Sequence, residues 1–242
     1  MNRTRRLCGL LLVLTTTVAS PGGLLAQTVK GPSAASAMLA DLPLVEYPVA
    51  GNGQLMAVFW SGDGGWRDID QTLGKHLQDA GVPVVGVDSL RYFWHEKTPD
   101  QIATDLAALL RHYRAAWGRP RVILIGYSFG ADVMPFAVNR LPDELKQHVV
   151  RISLLGLARE ASFGIHVADR LLGRSSQDEL PVLPEVSKLD LGKVQCFYGE
   201  DEQDSACPAA VFDRAERIRT RGGHHFDGDY ASLARHILNG LE

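Results

Sequence analysis

The sequence predicts an α/β fold in which a mostly parallel sheet carries helices on both faces. Two segments, VPVVGVDS and RVILIGYS, are apolar throughout, as parallel strands covered on both faces require. Between them, TPDQIATDLAALLRHYRAAW has apolar residues at helical spacing. Its start is marked by Thr98 and Gln101 in a capping box, with a proline at the first helical position. A strand, a helix and a second strand in this order are typical of a parallel sheet.

The rest of the chain extends this alternation. Further strand candidates are LVEYPVA, QLMAVFW, VVRISLLGLA and VQCFYG. Gly51-Asn52-Gly53 joins the first two and is a hairpin-type signal. YASLARHILNGL is a closing amphipathic helix. With 242 residues, 45% of them hydrophobic, the chain is expected to form one domain over residues 44–242, preceded by a linker over 27–43.

The N-terminal segment has the pattern of an export signal. MNRTRR is positively charged, and the apolar run after it is too short to span a bilayer comfortably. Small residues follow, so we predict a signal peptide over residues 1–26, cleaved near Ala26, and a periplasmic protein. An uncleaved membrane anchor and a twin-arginine signal are the alternatives. The net charge of -3, without a basic stripe, argues against nucleic acid as a partner.

Export also changes the interpretation of the cysteines. Cys8 would be lost with the signal peptide, leaving Cys196 and Cys207 in an oxidising compartment. We predict a disulfide between these two, with two unpaired core cysteines as the alternative.

A nucleophile motif follows the strand RVILIGYS. Gly126-Tyr127-Ser128-Phe129-Gly130 matches G-x-S-x-G between a buried strand and a helical pattern, the context that a nucleophile elbow needs. The flanking glycines permit the close backbone approach of a sharp strand-to-helix turn. We predict Ser128 as the nucleophile, and the motif indicates the α/β-hydrolase form of the fold; a plain strand-to-helix turn is the alternative.

The partners of Ser128 are expected in the order acid, then histidine. His224 follows two glycines in the loop TRGGHHFDGDY and is the predicted base, with His225 as the alternative. The acid is expected after VQCFYG, where two registers compete. Glu202 stands three residues after the glycine that ends the strand, whereas Asp204 stands four residues before a proline. We favour Asp204 and keep Glu202 as the alternative.

Acyl transfer also needs donors for an oxyanion. One is expected from the backbone N–H of Phe129, the residue after the nucleophile. The second is expected from the loop SGDGGW, at Gly62 or Asp63. A tight turn without a functional role is the alternative for this loop. The sequence has neither an H-E-x-x-H motif nor a C-x-x-C pair, so no metal and no cofactor are predicted.

Four separated segments carry a family resemblance. In chain order they are FWSGDGGW, VDSLRYFWHEKTP, GYSFGADVMP and CFYGEDEQDSACP. Together they resemble the bacterial virulence protein VirJ and the similar C-terminal domain of AcvB, a branch of the α/β-hydrolases. The resemblance implies a periplasmic hydrolase that removes the aminoacyl group, chiefly lysyl, from aminoacyl-phosphatidylglycerol at the membrane surface. It also implies a link to type IV secretion, whose components would be further partners.

A cationic acyl group would be favoured by an acidic site. The predicted substrate-binding residues are Asp63, Asp132, Trp66 and Tyr127, and Glu202 and Asp227 could add negative charge. Asp132 would also stabilise the first turn of its helix without any ligand. Residues 157–190 form a long excursion that predicts either a cap over the site or a simple surface insertion. A generic periplasmic serine esterase, or a secretion-associated binding factor with little catalysis, are the alternative functions.

Overall fold

A computed structural model of the chain describes residues 39–165 and 179–241. The described residues belong to one compact unit. The predicted signal peptide, residues 1–26, and most of the predicted linker lie outside them. Within the described ranges, no helix has the length and apolar character needed to cross a membrane.

The strands of the described residues are β1 Leu44–Tyr47, β2 Leu55–Trp60, β3 Val84–Val87, β4 Arg121–Tyr127, β5 Val149–Leu155, β6 Glu160–Ala161, β7 Leu180–Pro181, β8 Val194–Gly199 and β9 Glu216–Thr220. Seven of them form the main sheet, in the order β1-β3-β2-β4-β5-β8-β9. β1 is antiparallel to β3, and every other neighbouring pair is parallel. The other two, β6 and β7, pair with each other in a small antiparallel ribbon.

Helices cover both faces of the main sheet, as predicted. The helices of the described residues are α1 Asp68–Asp79, α2 Ser89–Tyr92, α3 Pro99–Trp117, α4 Phe129–Asn139, α5 Asp143–Lys146, α6 Leu183–Val186 and α7 Tyr230–Leu238. One apolar cluster packs α3 and α4 on the sheet, and a second packs α1 and α7 on it. Short 3-10 turns occupy Leu191–Lys193, Ala210–Arg214 and Phe226–Gly228.

The predicted capping box at the start of α3 is confirmed. Thr98 Oγ1 accepts the backbone N–H of Gln101, and Gln101 Oε1 accepts the backbone N–H of Thr98 at 2.8 Å. The long crossover helix between β3 and β4 therefore begins where the sequence predicts.

The hairpin predicted at Gly51-Asn52-Gly53 is wrong. β1 pairs with β3, where Leu44 lies opposite Val87, and β2 lies between β3 and β4. The reason is burial, because the residues of β2 after the first are all buried and need covered neighbours on both sides. The half-exposed residues of β1 suit the edge of the sheet instead.

This topology brings the functional loops to one edge. The chain leaves the carboxyl ends of β2, β4, β5, β8 and β9 through loops that gather on the same side of the parallel sheet, the usual location of ligand sites in such folds.

The predicted excursion over residues 157–190 is described only in part, since residues 166–178 lie outside the described ranges. Its described ends pack on the core, with Ala161, Val182 and Val186 buried in the cluster that contains α4. A cap over the site remains a prediction.

Candidate active site

Ser128 lies at the sharp turn between β4 and α4. Its backbone has φ 52° and ψ -121°, a conformation that non-glycine residues rarely adopt. A Cβ on Gly126 would lie 2.4 Å from the carbonyl oxygen of Gly130, and a Cβ on Gly130 would lie 2.3 Å from the carbonyl oxygen of Trp60. Both glycines of the motif are therefore steric requirements, and the strained turn presents Ser128 at the carboxyl edge of the sheet.

His224 contacts Ser128 directly. Nε2 of His224 lies 2.8 Å from Oγ of Ser128, within hydrogen-bonding distance. The imidazole also lies over Gly156, where a Cβ would come within 2.7 Å of its Cε1. The predicted pair is thus brought together by β4, β5 and the loop after β9, whereas His225 lies one residue further and contacts Tyr127.

The acid that contacts His224 is Glu202, and our preference for Asp204 is corrected. Oε1 of Glu202 lies 2.5 Å from Nδ1 of His224. A tight turn follows β8, in which the backbone N–H of Glu202 donates to the carbonyl of Gly199 at 3.1 Å. This turn folds Glu202 back toward the end of β8. Asp204 lines the smaller cleft, and no hydrogen bond or ion pair joins it to His224 in the described residues.

The predicted disulfide between Cys196 and Cys207 is present. Cys196 lies within β8 and Cys207 closes the loop that carries Glu202, and both residues are fully buried. The crosslink therefore ties the acidic loop to the strand from which it emerges.

The loop that follows β2 lies against the nucleophile. A Cβ on Gly62 would be 3.2 Å from the Tyr127 ring and 3.6 Å from Cβ of Ser128. The loop is anchored by Ser61, whose Oγ accepts the backbone N–H of Ser89 at 2.9 Å. Gly62 is thus next to Ser128, where a second oxyanion donor is expected, and Asp63 follows it in the lining of the same cleft. Phe129 directly follows Ser128 as the first residue of α4.

Two clefts meet at Ser128 and His224. The larger cleft, of about 1010 Å³, is lined by residues 62–71, Asp88, Leu90, Arg91, Tyr127, Ser128, His224, His225 and Tyr230. The smaller cleft, of about 460 Å³, is lined by Ser128, Asp132, residues 156–158, residues 201–204, Gly223 and His224.

The predicted substrate-binding residues are divided between these clefts. Asp63, Trp66 and Tyr127 line the larger cleft, and Asp132 lines the smaller one. Trp66 is also a packing residue, because a Cβ on Gly86 would lie 2.2 Å from its ring. Asp227, which the sequence suggested as a source of negative charge, pairs with Arg221 and lines neither cleft.

Asp132 has an unusual environment beside the nucleophile. Its Oδ1 accepts the backbone N–H of Ala158 at 2.8 Å. Loss of hydration on burial raises the pKa of Asp132 to about 8, and the nearby Glu202 adds to the increase. The carboxyl of Asp132 therefore keeps its proton near neutral pH.

Sequence reasoning missed Asp70. Its side chain is 1% exposed beneath the larger cleft, and Oδ2 accepts the backbone N–H of Arg67 at 3.1 Å. Burial raises the pKa of Asp70 to about 7, with a smaller contribution from Asp88. In the sequence, Asp70 is recognisable only as an acid that caps the start of α1, three residues after Arg67. The sequence pattern gives no sign that its side chain is buried.

No group of three or more His, Cys, Asp or Glu side chains in the described parts of the chain is arranged to hold a metal ion. The site is instead a serine, a histidine and a glutamate in hydrogen-bonding sequence beside a glycine-rich loop. This is the arrangement by which a serine hydroxyl is activated for acyl transfer.

Comparison with known families identifies the chain. The family model of the bacterial virulence protein VirJ matches residues 54–242. The chain belongs to the VirJ family. No curated protein sequence matches this VirJ-family chain.

Solved structures similar to the VirJ-family chain are α/β-hydrolases. Est1E from Butyrivibrio proteoclasticus, solved with ferulic acid, superposes with a TM-score of 0.59 and 13% identity over 83% of this chain and 94% of Est1E. MenH from S. aureus gives a TM-score of 0.56 and 13% identity over 81% of this chain and 97% of MenH. XC6422 from Xanthomonas campestris, an α/β serine hydrolase without a lid, gives a TM-score of 0.51 and 15% identity over 82% of this chain and 87% of XC6422. These similarities establish the α/β-hydrolase fold.

Proposed function

We propose that this VirJ-family protein is a periplasmic serine hydrolase that cleaves the aminoacyl ester, chiefly lysyl, of aminoacyl-phosphatidylglycerol. The observation that carries the hydrolase is the chain of contacts from Ser128 Oγ to His224 Nε2 at 2.8 Å and from His224 Nδ1 to Glu202 Oε1 at 2.5 Å. The lipid substrate rests on the family resemblance and on the charges around Ser128.

The contacts support the following reaction. Ser128 Oγ attacks the ester carbonyl while His224 Nε2 takes its proton, and Glu202 holds the imidazole and stabilises its positive charge. Backbone N–H groups of Phe129 and of Gly62 or Asp63 donate to the oxyanion. His224 then gives the proton to the glycerol oxygen, which releases phosphatidylglycerol. Water activated by His224 hydrolyses the acyl-enzyme, releasing the amino acid and free Ser128.

The two clefts support a division of this substrate. The described residues of the smaller cleft include Asp201, Glu202 and Asp204 as sources of negative charge, together with the protonated Asp132, but no lysine or arginine. Negative charge there favours an acyl group with ammonium groups. The larger cleft is roomier, which suits an alcohol that carries lipid chains. Its Arg67 and Arg91 are cations that suit the phosphate, although four aspartates also line it: Asp63, Asp68, Asp70 and Asp88.

The disulfide supports export, since such crosslinks persist in oxidising compartments. The membrane surface would supply the lipid substrate. Secretion-system components as partners rest on the family resemblance alone.

The test is hydrolysis of lysyl-phosphatidylglycerol in detergent micelles, followed as release of free lysine, by the purified chain and by Ser128→Ala. A fluorophosphonate probe reports an activated Ser128 independently of the substrate. We expect lysine release and probe labelling from the wild-type protein and neither from the variant. Labelling without lysine release would retain the serine hydrolase and reject this lipid, whereas the absence of both would reject the hydrolase.

A further inference from the structure

Tyr127, the residue before the nucleophile, contacts the loop that carries His224. Its side chain is buried, with 5% of its surface exposed. The Tyr127 ring centroid lies 5.3 Å from that of His224, 6.2 Å from that of His225 and 6.3 Å from that of Phe226. One side chain of the nucleophile's strand thus packs against three consecutive residues of the histidine loop.

The phenol of Tyr127 adds polar contacts to this packing. Its oxygen lies 3.1 Å from Nδ1 of His225 and 3.4 Å from the carbonyl oxygen of His224. Burial raises the pKa of Tyr127 above its ordinary value, so the hydroxyl keeps its proton. If Nδ1 of His225 carries no proton, the Tyr127 hydroxyl can donate to this nitrogen. If Nδ1 carries a proton, Nδ1–H donates to the phenol oxygen, and the hydroxyl of Tyr127 donates to the His224 carbonyl instead. The loop is held in either tautomer.

The histidine loop needs such a support because its backbone is permissive. Gly222 precedes the histidines with φ 74°, and a Cβ added at Gly223 would meet nothing within 4 Å. Glu202 fixes the orientation of the imidazole through Nδ1 but does not fix the backbone of His224. Tyr127 is adjacent to Ser128, and its hydroxyl contacts the backbone carbonyl of His224.

We propose that Tyr127 is a positioning residue for His224, and that His225 acts with it by accepting or donating the hydrogen bond at the phenol. The proposal rests on the proposed function, since it concerns the same serine and histidine. It gives Tyr127 a different role from the substrate-binding role that the sequence suggested, because the phenol oxygen already contacts the histidine loop. A displacement of His224 by a fraction of an ångström would lengthen the contact with Ser128 and slow the proton transfer.

The test removes the hydroxyl and keeps the ring. Tyr127→Phe is compared with Tyr113→Phe, a matched control in which an equally buried tyrosine loses its hydrogen bond to Glu46 in a different part of the molecule. We expect Tyr127→Phe to lower kcat and the rate of fluorophosphonate labelling of Ser128 by about ten-fold, with KM unchanged, because positioning acts on the chemical step. Tyr113→Phe should leave both rates at the wild-type value.

His225 variants test the partnership. His225→Ala should lower kcat to a similar degree, and the double variant with Tyr127→Phe should lose little more, because the two changes break one contact. His225→Asn, which keeps a polar atom near the position of Nδ1, should recover most of the rate. Multiplicative losses in the double variant would instead reject the partnership.

Other outcomes separate this inference from the proposed function. A raised KM at constant kcat in Tyr127→Phe would overturn the positioning role and indicate substrate binding. Labelling of Tyr127→Phe at the wild-type rate would also overturn it while leaving the serine hydrolase intact. A wild-type protein that neither hydrolyses esters nor labels at Ser128 would overturn the proposed function itself, and the inference with it.

Discussion

Glu202 and His224 meet through a 2.5 Å contact between Oε1 and Nδ1, while Asp204, two residues further along the same loop, lines the smaller cleft. Two acids of one short loop therefore have different surroundings. Glu202 holds the imidazole through this contact, and Asp204 lines the cleft beside Ser128.

Glutamine at position 202 should abolish most of the activity. The amide keeps the size of the side chain but cannot stabilise the imidazolium, so we expect kcat for a neutral ester to fall by about 10²–10⁴-fold in Glu202→Gln. Asp204→Asn is the matched control and should change this rate by less than about three-fold, since Asp204 does not contact the histidine. Steady-state kinetics on a neutral ester separate the two; a larger loss in Asp204→Asn would restore the register that the sequence favoured.

Gly156→Ala should inactivate the enzyme without unfolding it. The new Cβ would lie 2.7 Å from Cε1 of His224, so the imidazole must move away from Ser128. Gly118→Ala is the control, because Gly118 has a similar positive φ of 63° but a Cβ added there would meet nothing within 4 Å. Each variant should lose about 1–2 kcal/mol of stability from backbone strain, and only Gly156→Ala should lose activity. Denaturant unfolding and ester hydrolysis measure the two effects, and equal activity in both variants would contradict the prediction.

The features predicted well from the sequence depend on neighbouring residues. Gly126, Ser128 and Gly130 lie within five positions, and the steric demands of a strand-to-helix turn are expressed in that short segment. The capping box of Thr98 and Gln101 is equally local. His224 could be predicted because the order serine, acid, histidine places the base in the loop before the last helix, where two glycines directly precede it.

Features that depend on distant parts of the chain could not be predicted in the same way. Four acids crowd the loop after β8, and only the turn at Gly199 decides that Glu202 reaches His224. The pairing of β1 with β3 depends on the burial of β2, which the Gly51-Asn52-Gly53 signal does not show. Asp70 is likewise buried, although its place in the first turn of α1 is one where a carboxylate is often exposed.

Removing the disulfide should destabilise the protein and slow catalysis. Cys196 and Cys207 are 11 residues apart, and closing a loop of this length is worth about 2–3 kcal/mol in the usual chain-entropy estimate. Cys196→Ala/Cys207→Ala should lose about this much free energy of unfolding, and kcat should fall because the loop of Glu202 is freer. The reduced wild-type protein is the control for lost packing. If reduction changed neither stability nor kcat, the crosslink would have no role in holding the acid.

The stability of the protein should depend on pH through Asp132. In the folded protein its pKa is raised from 3.8 to about 8, so between these values the folded state keeps a proton that the unfolded state releases. The free energy of unfolding contributed by this group is therefore fully present below pH 3.8 and is lost as the pH rises through about 8. Asp70, whose pKa is raised from 3.8 to about 7, also makes the protein less stable as the pH rises, over the narrower range between these two values.

Asparagine at position 132 removes the titration and can keep the hydrogen bond from the N–H of Ala158. We expect the wild-type protein to lose stability between pH 5 and pH 8, and Asp132→Asn to lose less, by on the order of 1–3 kcal/mol. Each unit of pKa difference is worth about 1.4 kcal/mol, and the side chain of Asp132 is half-buried rather than fully buried, which reduces the effect. Urea unfolding at pH 5, 6.5 and 8 measures the two slopes, with Asp204→Asn as a control from the same cleft. If the free energy of unfolding changed equally with pH in wild type and Asp132→Asn, the pKa of Asp132 would be close to its ordinary value. Asp132 would then be a charged carboxylate beside Ser128 at neutral pH.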